Sequence, residues 1–202
     1  TLRNKFNQIV GELSEKRRGS RFDYETSIRN NFSSLGMNNS IFTVEISEIN
    51  KANETGIDKC EYFISSSKGD ELKPLGKIIS GGELARIQLA IKMVIGNKDS
   101  VDTLILDEID SGISGRIAEF TGEVICRLSQ HKQVICITHL PQIAGKGKVH
   151  FKTTKYDKKG YSIIGIDRLD KTGRVKEIAS MISGEKITQS GKDRAKEILE
   201  LN

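Results

Sequence analysis

The sequence predicts an α/β fold: a parallel β-α-β core, antiparallel hairpins flanking it, and a leading helical stub with a coiled-coil seam. Three observations predict it. Two short apolar runs, Thr103-Leu104-Ile105-Leu106 and Gln133-Val134-Ile135-Cys136-Ile137-Thr138, bracket a helical stretch at 114–129. That order suits two buried parallel strands joined by a right-handed crossover helix. Residues 41–49 alternate, with Phe42, Val44 and Ile46 on one face and Thr43, Glu45 and Ser47 on the other, as in a half-buried strand. Leu2, Phe6, Ile9 and Leu13 recur four, three and four apart among polar residues, the seam of an amphipathic or coiled-coil helix.

The remaining elements follow in order. The first helix is more polar than what comes after it, which puts a boundary near Gly19 and divides the chain into 1–19 and 20–202. A weaker helical pattern at 22–35 is closed by Gly36 and Asn38-Asn39. The polar run 50–56 reads as a turn and 60–65 as the returning strand of an antiparallel hairpin. Leu84, Ile87, Ile91 and Val94 mark a helix that begins at Gly81-Gly82. Beyond the β-α-β unit, 149–155 and 161–168 flank Asp157-Lys158-Lys159-Gly160 as a second hairpin, and 175–182 and 191–201 read as helices.

Composition sets the class. With 202 residues, 36% hydrophobic and 29% charged, the chain is long enough for a buried core. No apolar run approaches the ~20 residues of a membrane helix, and Thr1-Leu2-Arg3-Asn4 has no secretory pattern, so a cytoplasmic protein without a membrane partner is expected. Cys60, Cys126 and Cys136 form no C-x-x-C pair and read as reduced thiols. Lacking an initiator Met and starting within a helical pattern, the chain reads as a piece of something longer. The net charge of +5 permits nucleic-acid contact. Lys16-Arg17-Arg18 with Arg21 is the sharpest basic cluster, readable either as a phosphate-contacting patch or as a solvated helix face.

Chemistry concentrates in two places. In open α/β sheets, ligands gather beyond the carboxyl ends of parallel strands, where Asp107, Glu108 and His139 all fall. One carboxylate there can hold hydrated Mg²⁺, a second can polarise a water, and an imidazole can sense a γ-phosphate. Asp110-Ser111-Gly112 makes a short turn behind them, or a lead-in to the helix. The second place is Ser80-Gly81-Gly82-Glu83. Small residues before a helix let a phosphate meet free amides and the positive end of the helix dipole. Ser80 and Glu83 also match the S-x-x-E capping box, which would explain the helix start without any ligand. No G-x-x-x-x-G-K-[ST] loop occurs in the 202 residues. His131 and His150 have no such context and read as surface or packing residues.

Taken in order, Ser80-Gly81-Gly82-Glu83, Asp107-Glu108-Ile109-Asp110-Ser111-Gly112-Ile113-Ser114-Gly115-Arg116 and Thr138-His139-Leu140-Pro141-Gln142 resemble the signature motif, Walker B, D-loop and switch histidine of ABC-type ATPase heads. The wording from Leu72-Lys73-Pro74-Leu75 to Ile143-Ala144 is most similar to the RecN family of SMC-like DNA repair ATPases. The resemblance implies that 1–19 is the end of a coiled-coil arm and 20–202 the C-terminal lobe of such a head. Asp107 would hold Mg²⁺ through water, Glu108 would be the general base, and His139 would contact the γ-phosphate. Ser80, Gly81, Gly82 and Glu83 would close over the ATP of an opposing head, with Asp110 and Ser111 across that interface. The implied partners are the N-terminal lobe of the same protein, a second head and DNA, as ends or single strands, in recombinational repair of double-strand breaks. A non-enzymatic interaction module is the alternative. A transporter head is disfavoured, because those usually carry Gln where Glu83 stands.

Overall fold

The structure, a computed structural model, describes all residues except Lys68, Ile78, Ile79, Ser80, Asp99, Lys159, Gly160, Glu185, Leu201 and Asn202, and describes Asn97 and Lys158 by backbone alone. The chain forms two compact units, Thr1–Val101 and Asp102–Asn202.

In the first unit, helix α1 (Leu2–Phe32) leads through a short 3-10 turn, Ser33–Leu35, to a left-handed Gly36 at φ 72°. Strands β1 (Ile41–Asn53) and β2 (Gly56–Ser65) pair antiparallel, and β3 (Lys73–Pro74) adds to β2. Helix α2 (Gly81–Ile95) follows a second 3-10 turn, Leu75–Lys77. Ile28 and Phe32 from the end of α1, Leu35 from the 3-10 turn, Phe42 from β1, and Ile87, Leu89 and Ala90 from α2 are fully buried apolar side chains of this unit. Phe32 meets Phe42 edge to face at 6.3 Å, the arrangement aromatic quadrupoles favour.

Two features here differ from the sequence expectation. Residues 50–53 continue β1, so the hairpin turns at Glu54-Thr55, with a register shift between Glu48 and Asn53. A polar strand at a sheet edge resembles a turn when side chains are read one at a time. Likewise, the two helical patterns of the leading segment are one helix, unbroken through Gly19. The physical reason is a pair of buried carboxylates that fasten α1 to the hairpin on both sides of that glycine.

Asp58 on β2 accepts from Ser14 Oγ at 2.7 Å and Arg17 Nη1 at 3.0 Å, while Arg17 Nη2 donates to the Thr55 carbonyl. Glu25 on α1 accepts from the Val44 amide at 2.7 Å, Thr43 Oγ1 at 2.8 Å and Arg21 Nε at 2.8 Å. Thus α1 and the hairpin each place one carboxylate against the other. Arg17 and Arg21, half of the basic cluster, are tied to these anchors, while Lys16 and Arg18 stay exposed. N-terminal to the anchors, the seam residues Leu2, Phe6, Ile9 and Leu13 remain uncovered within this chain.

In the second unit, β4 (Thr103–Leu106), α3 (Gly115–Leu128) and β5 (Gln133–Cys136) form the expected β-α-β, with parallel pairing from Thr103↔Gln133 to Leu106↔Cys136. A short helix α4 (Pro141–Lys146) follows, its first turn opened by Pro141. Strands β6 (Phe151–Lys158) and β7 (Tyr161–Arg168) make the second hairpin. Helices α5 (Lys171–Ser183) and α6 (Gln189–Ile198) are capped by Asp170 Oδ1 and Thr188 Oγ1. Ile178, Ala179 and Ala195 form a core between these two helices, with Ala144 and Ile198 packed against it.

The expectation of buried strands needs correction. Ile105, Ile135 and Ile137 are 65%, 47% and 56% exposed, and on the β6–β7 hairpin Ile164 and Ile166 are 71% and 68% exposed. A parallel pair keeps apolar side chains on both faces because such sheets are normally covered on both. Within this unit one face of the pair stays open.

The anchors predict an acid response. Ser14's hydrogen bond, then the Arg17 and Arg18 charges, hold Asp58 below the usual carboxylate range against the opposing effect of burial. Burial pushes Glu25 up, but the Val44 amide, Arg21 and Thr43 together bring it below that range. Groups depressed in the folded state contribute stability above the unfolded value, about 4, and lose that contribution as pH falls through the folded value. Urea unfolding followed by circular dichroism should therefore become easier below about pH 4. Asp58→Asn should lose about 1–2 kcal/mol at neutral pH and flatten the acid response. An Asp58→Asn protein as acid-sensitive as the wild type contradicts the anchor.

Candidate functional site

The second unit builds its site at the carboxyl edge of β4 and β5. Leu106 and Cys136 end in register, and the Ile137 amide donates to the Leu106 carbonyl at 2.9 Å, carrying the ladder one residue further. Asp107-Glu108 and Thr138-His139 therefore leave the sheet side by side. Apolar strands pin this edge, and beyond it the chain presents two outward residues and then two inward ones. Asp107 and Glu108 are exposed, whereas Ile109 is fully buried and Asp110 is 4% exposed.

Glu108 stands in left-handed backbone at φ 57°. Its amide donates to Asp107 Oδ1 at 3.0 Å, and its carbonyl accepts from the Ser111 amide at 3.0 Å. A second turn closes from the Ile113 amide to the Asp110 carbonyl, with Gly112 at φ 74° in its third position, where a positive φ favours glycine. These turns reverse the chain at once, leaving both Asp107 and Glu108 at the strand end.

Asp110 is the inward member. Its Oδ2 accepts from Thr138 Oγ1 at 2.6 Å and the His139 amide at 2.8 Å, and lies 2.9 Å from His139 Nδ1. The Thr138 hydroxyl in turn accepts from the Leu140 amide at 3.1 Å. Burial pushes Asp110 up, yet the Thr138 hydroxyl, the His139 amide and the imidazole together hold it below the usual carboxylate range. The side chain expected at a dimer interface is thus turned into its own unit, and Ser111 beside it is exposed. His139 has a side chain 74% exposed, so its ring faces solvent beyond the nitrogen that Asp110 fixes. Cys136 lies just beneath: burial, then the charges of Asp110 and Asp107, raise its thiol to about 12. It is an unreactive packing thiol.

The donor set suits a magnesium ion shared with a substrate. Among the described residues there is no cluster of three or more His, Cys, Asp or Glu able to hold a metal by themselves. Mg²⁺ keeps several waters and takes one or two carboxylates plus substrate phosphates, and exposed Asp107 offers such a ligand.

The first unit holds the other motif. Ser80 lies outside the described residues. Gly81 is exposed and Gly82 buried in the first turn of α2. Glu83 in the same turn complements the helix dipole, and its Oε1 accepts from Ser66 Oγ at the end of the hairpin. Asn38, Asn39, Ser40, Ser66, Glu83 and Arg86 line a polar cleft of about 230 Å³ beside this turn. This cleft is not legible in the sequence, because its walls come from three separate segments. The inward role of Asp110 was also missed, although Asp110 and Thr138 lie at equivalent places beyond two paired strands, and that placement was a usable signal.

No family model matches the chain. It is 36% identical over 204 residues to the DNA repair protein RecN of Halalkalibacterium halodurans, a match covering 99% of this chain and 34% of the relative. The chain thus spans about a third of the length of the curated relatives it matches. Among solved structures, an SMC ATPase chain studied for ATP-driven dimerization and DNA-stimulated activation matches with a TM-score of 0.50 at 16% identity, over 81% of this chain and 93% of that one. The Smc head domain of Pyrococcus yayanosii, solved with a coiled coil and joint, gives a TM-score of 0.57 at 16% identity, over 81% of this chain and 29% of that one. At such identities the structural likeness speaks for the fold alone. Parallel and antiparallel sheets behind a long leading helix match that fold, and the relationship runs over nearly the whole sequence: this chain is a homologue of the RecN DNA repair proteins with the mixed α/β fold of an SMC ATPase head.

Proposed function

We propose that this chain is the C-terminal half of an ATPase head in an SMC-like protein that repairs DNA double-strand breaks by recombination in the bacterial cytoplasm, at the nucleoid. The observation that carries this reading is the shared edge at which Asp107, Glu108 and His139 emerge together. RecN homology supports the repair role. Among the described residues no helix is long and apolar enough to cross a membrane.

On this reading the head is completed by the N-terminal lobe of the same protein, which would supply the phosphate loop. The open apolar face with Ile105, Ile135 and Ile137 supports such a covering lobe. The uncovered seam of α1, from Leu2 to Leu13, supports an arm that pairs with a second helix. Two heads then associate around ATP, so that the arms hold or bring together DNA, as ends or single strands.

Each residue has a task. Asp107 would hold Mg²⁺ through water, and the ion when bound neutralises charge on the phosphates. Glu108 takes the proton of the attacking water. His139 contacts the γ-phosphate. Ser80, Gly81, Gly82 and Glu83 close over the nucleotide of the opposing head, where free amides at the start of α2 and its dipole favour an anion. Ser111, exposed on the turn after Glu108, borders the same interface.

Glu108→Gln in the full-length protein should lower ATP turnover by at least ~100-fold, as loss of a general base does, while ATP-dependent head association persists. Undiminished turnover contradicts the base assignment. The left-handed backbone of Glu108 gives a separate expectation for stability. A non-glycine residue there costs about 1–2 kcal/mol, held in place by the turns around it. Glu108→Gly should therefore be about 1 kcal/mol more stable than Glu108→Ala in urea unfolding. Equal stabilities would show that the backbone relaxes when the side chain is removed.

A further inference from the structure

Asp110 has no assigned task in hydrolysis, yet it is the most enclosed ionisable group at the candidate site. Its position is set from both sides. Ile109, fully buried, fixes the backbone before it, and the turn from Ile113 to Asp110 fixes the backbone after it. One oxygen, Oδ2, meets Thr138 Oγ1, the His139 amide and His139 Nδ1. The hydroxyl and the amide are donors that orient the carboxylate. The third contact orients the ring.

We propose that Asp110 is a positioning residue that fixes the His139 imidazole in the Nδ1–H tautomer and aims its Nε2 at the ligand. The two atoms stand within hydrogen-bond distance, 2.9 Å apart, and a carboxylate oxygen can only accept, so a bond between them puts the proton on Nδ1. The two ring nitrogens are chemically distinct, and the bond made by one decides the protonation of the other. With the proton on Nδ1, a neutral ring presents a bare lone pair at Nε2. To donate to a phosphate oxygen from Nε2, the ring must hold a second proton and become cationic, with Asp110 behind it balancing that charge. The arrangement parallels the aspartate that holds a catalytic histidine in one tautomer in serine proteases. Resting on the reading of this edge as a nucleotide site, the contact from His139 to the γ-phosphate is then a charge-assisted bond from an imidazolium, which is shorter and stronger than a neutral one.

The tautomer can be read without any nucleotide, so its outcome is separable from the ATPase assignment. The chain has three histidines, His131, His139 and His150, which makes a long-range ¹H–¹⁵N correlation spectrum of the ¹⁵N-labelled chain assignable with one His139→Gln control. In the wild type, recorded at alkaline pH so that rings are neutral, His139 should show the proton on Nδ1. Asp110→Asn should shift it predominantly to Nε2–H. Thr138→Val disturbs the same pocket but keeps the carboxylate, and should leave the Nδ1–H form in place. In the full-length protein Asp110→Asn should then lower kcat for ATP at least about tenfold, with a smaller change in KM. A wild-type ring protonated on Nε2, or an Asp110→Asn ring still protonated on Nδ1, overturns the proposal while leaving the role of Glu108 untouched. If Asp110→Asn does not fold, the wild-type tautomer decides by itself.

Discussion

One oxygen of Asp110, buried behind the edge of the parallel pair, accepts from Thr138 and from the His139 amide, and so ties the chain leaving β4 to the chain leaving β5. The rest of the site depends on this tie. Two strands of four residues end at Leu106 and Cys136, and beyond them there is no ladder except the Ile137 amide to keep the two segments together. A buried charge is tolerated only when donors surround it, so the segments cannot part without leaving a carboxylate unsatisfied. Asp107 and Glu108 are thereby held on the same edge as His139.

The first unit uses the same device. Glu25 and Asp58 are, with Asp110, the buried carboxylates among the described residues. Asp58 joins positions 44 residues apart, Glu25 joins positions 19 apart, and Asp110 joins positions 29 apart. Each links a helix or strand end to a segment that local propensity could not bring to it. Apolar burial then fills in around these links, as Phe32 against Phe42 does. What the chain leaves uncovered is equally ordered: the seam of α1 and one face of the parallel pair. On the proposed reading, these are the surfaces to which the arm's second helix and the other lobe belong.

Much of the second unit was legible in the sequence because its signals are local. Leu104 to Leu106 and Val134 to Cys136 are apolar runs too short for helices, and the helix between them is strongly amphipathic. The strand-end positions of Asp107, Glu108 and His139 were legible because they stand where such runs stop. What local reading missed was set by partners far away in sequence. Gly19 looked like a boundary, yet Arg17 and Arg21 on either side of it hold α1 to the hairpin. The same two arginines made half of an apparent nucleic-acid patch. Residues 50–53 looked like a turn because the apolar alternation of 41–49 stops before them. Asp110 reads locally as a turn residue, and only its place opposite Thr138 beyond the paired strands hints that its carboxylate faces inward.

On the proposed reading, this chain contributes the hydrolytic edge of a nucleotide site whose phosphate-holding part lies on another lobe. The most direct measurement is ATP binding and turnover by the purified chain alone, compared with the same chain co-expressed with the lobe that completes the full-length protein. Neither tight binding nor turnover is expected of the chain alone, and both are expected of the reconstituted pair. Turnover by the isolated chain, or a stable pair that remains silent towards ATP, would contradict it.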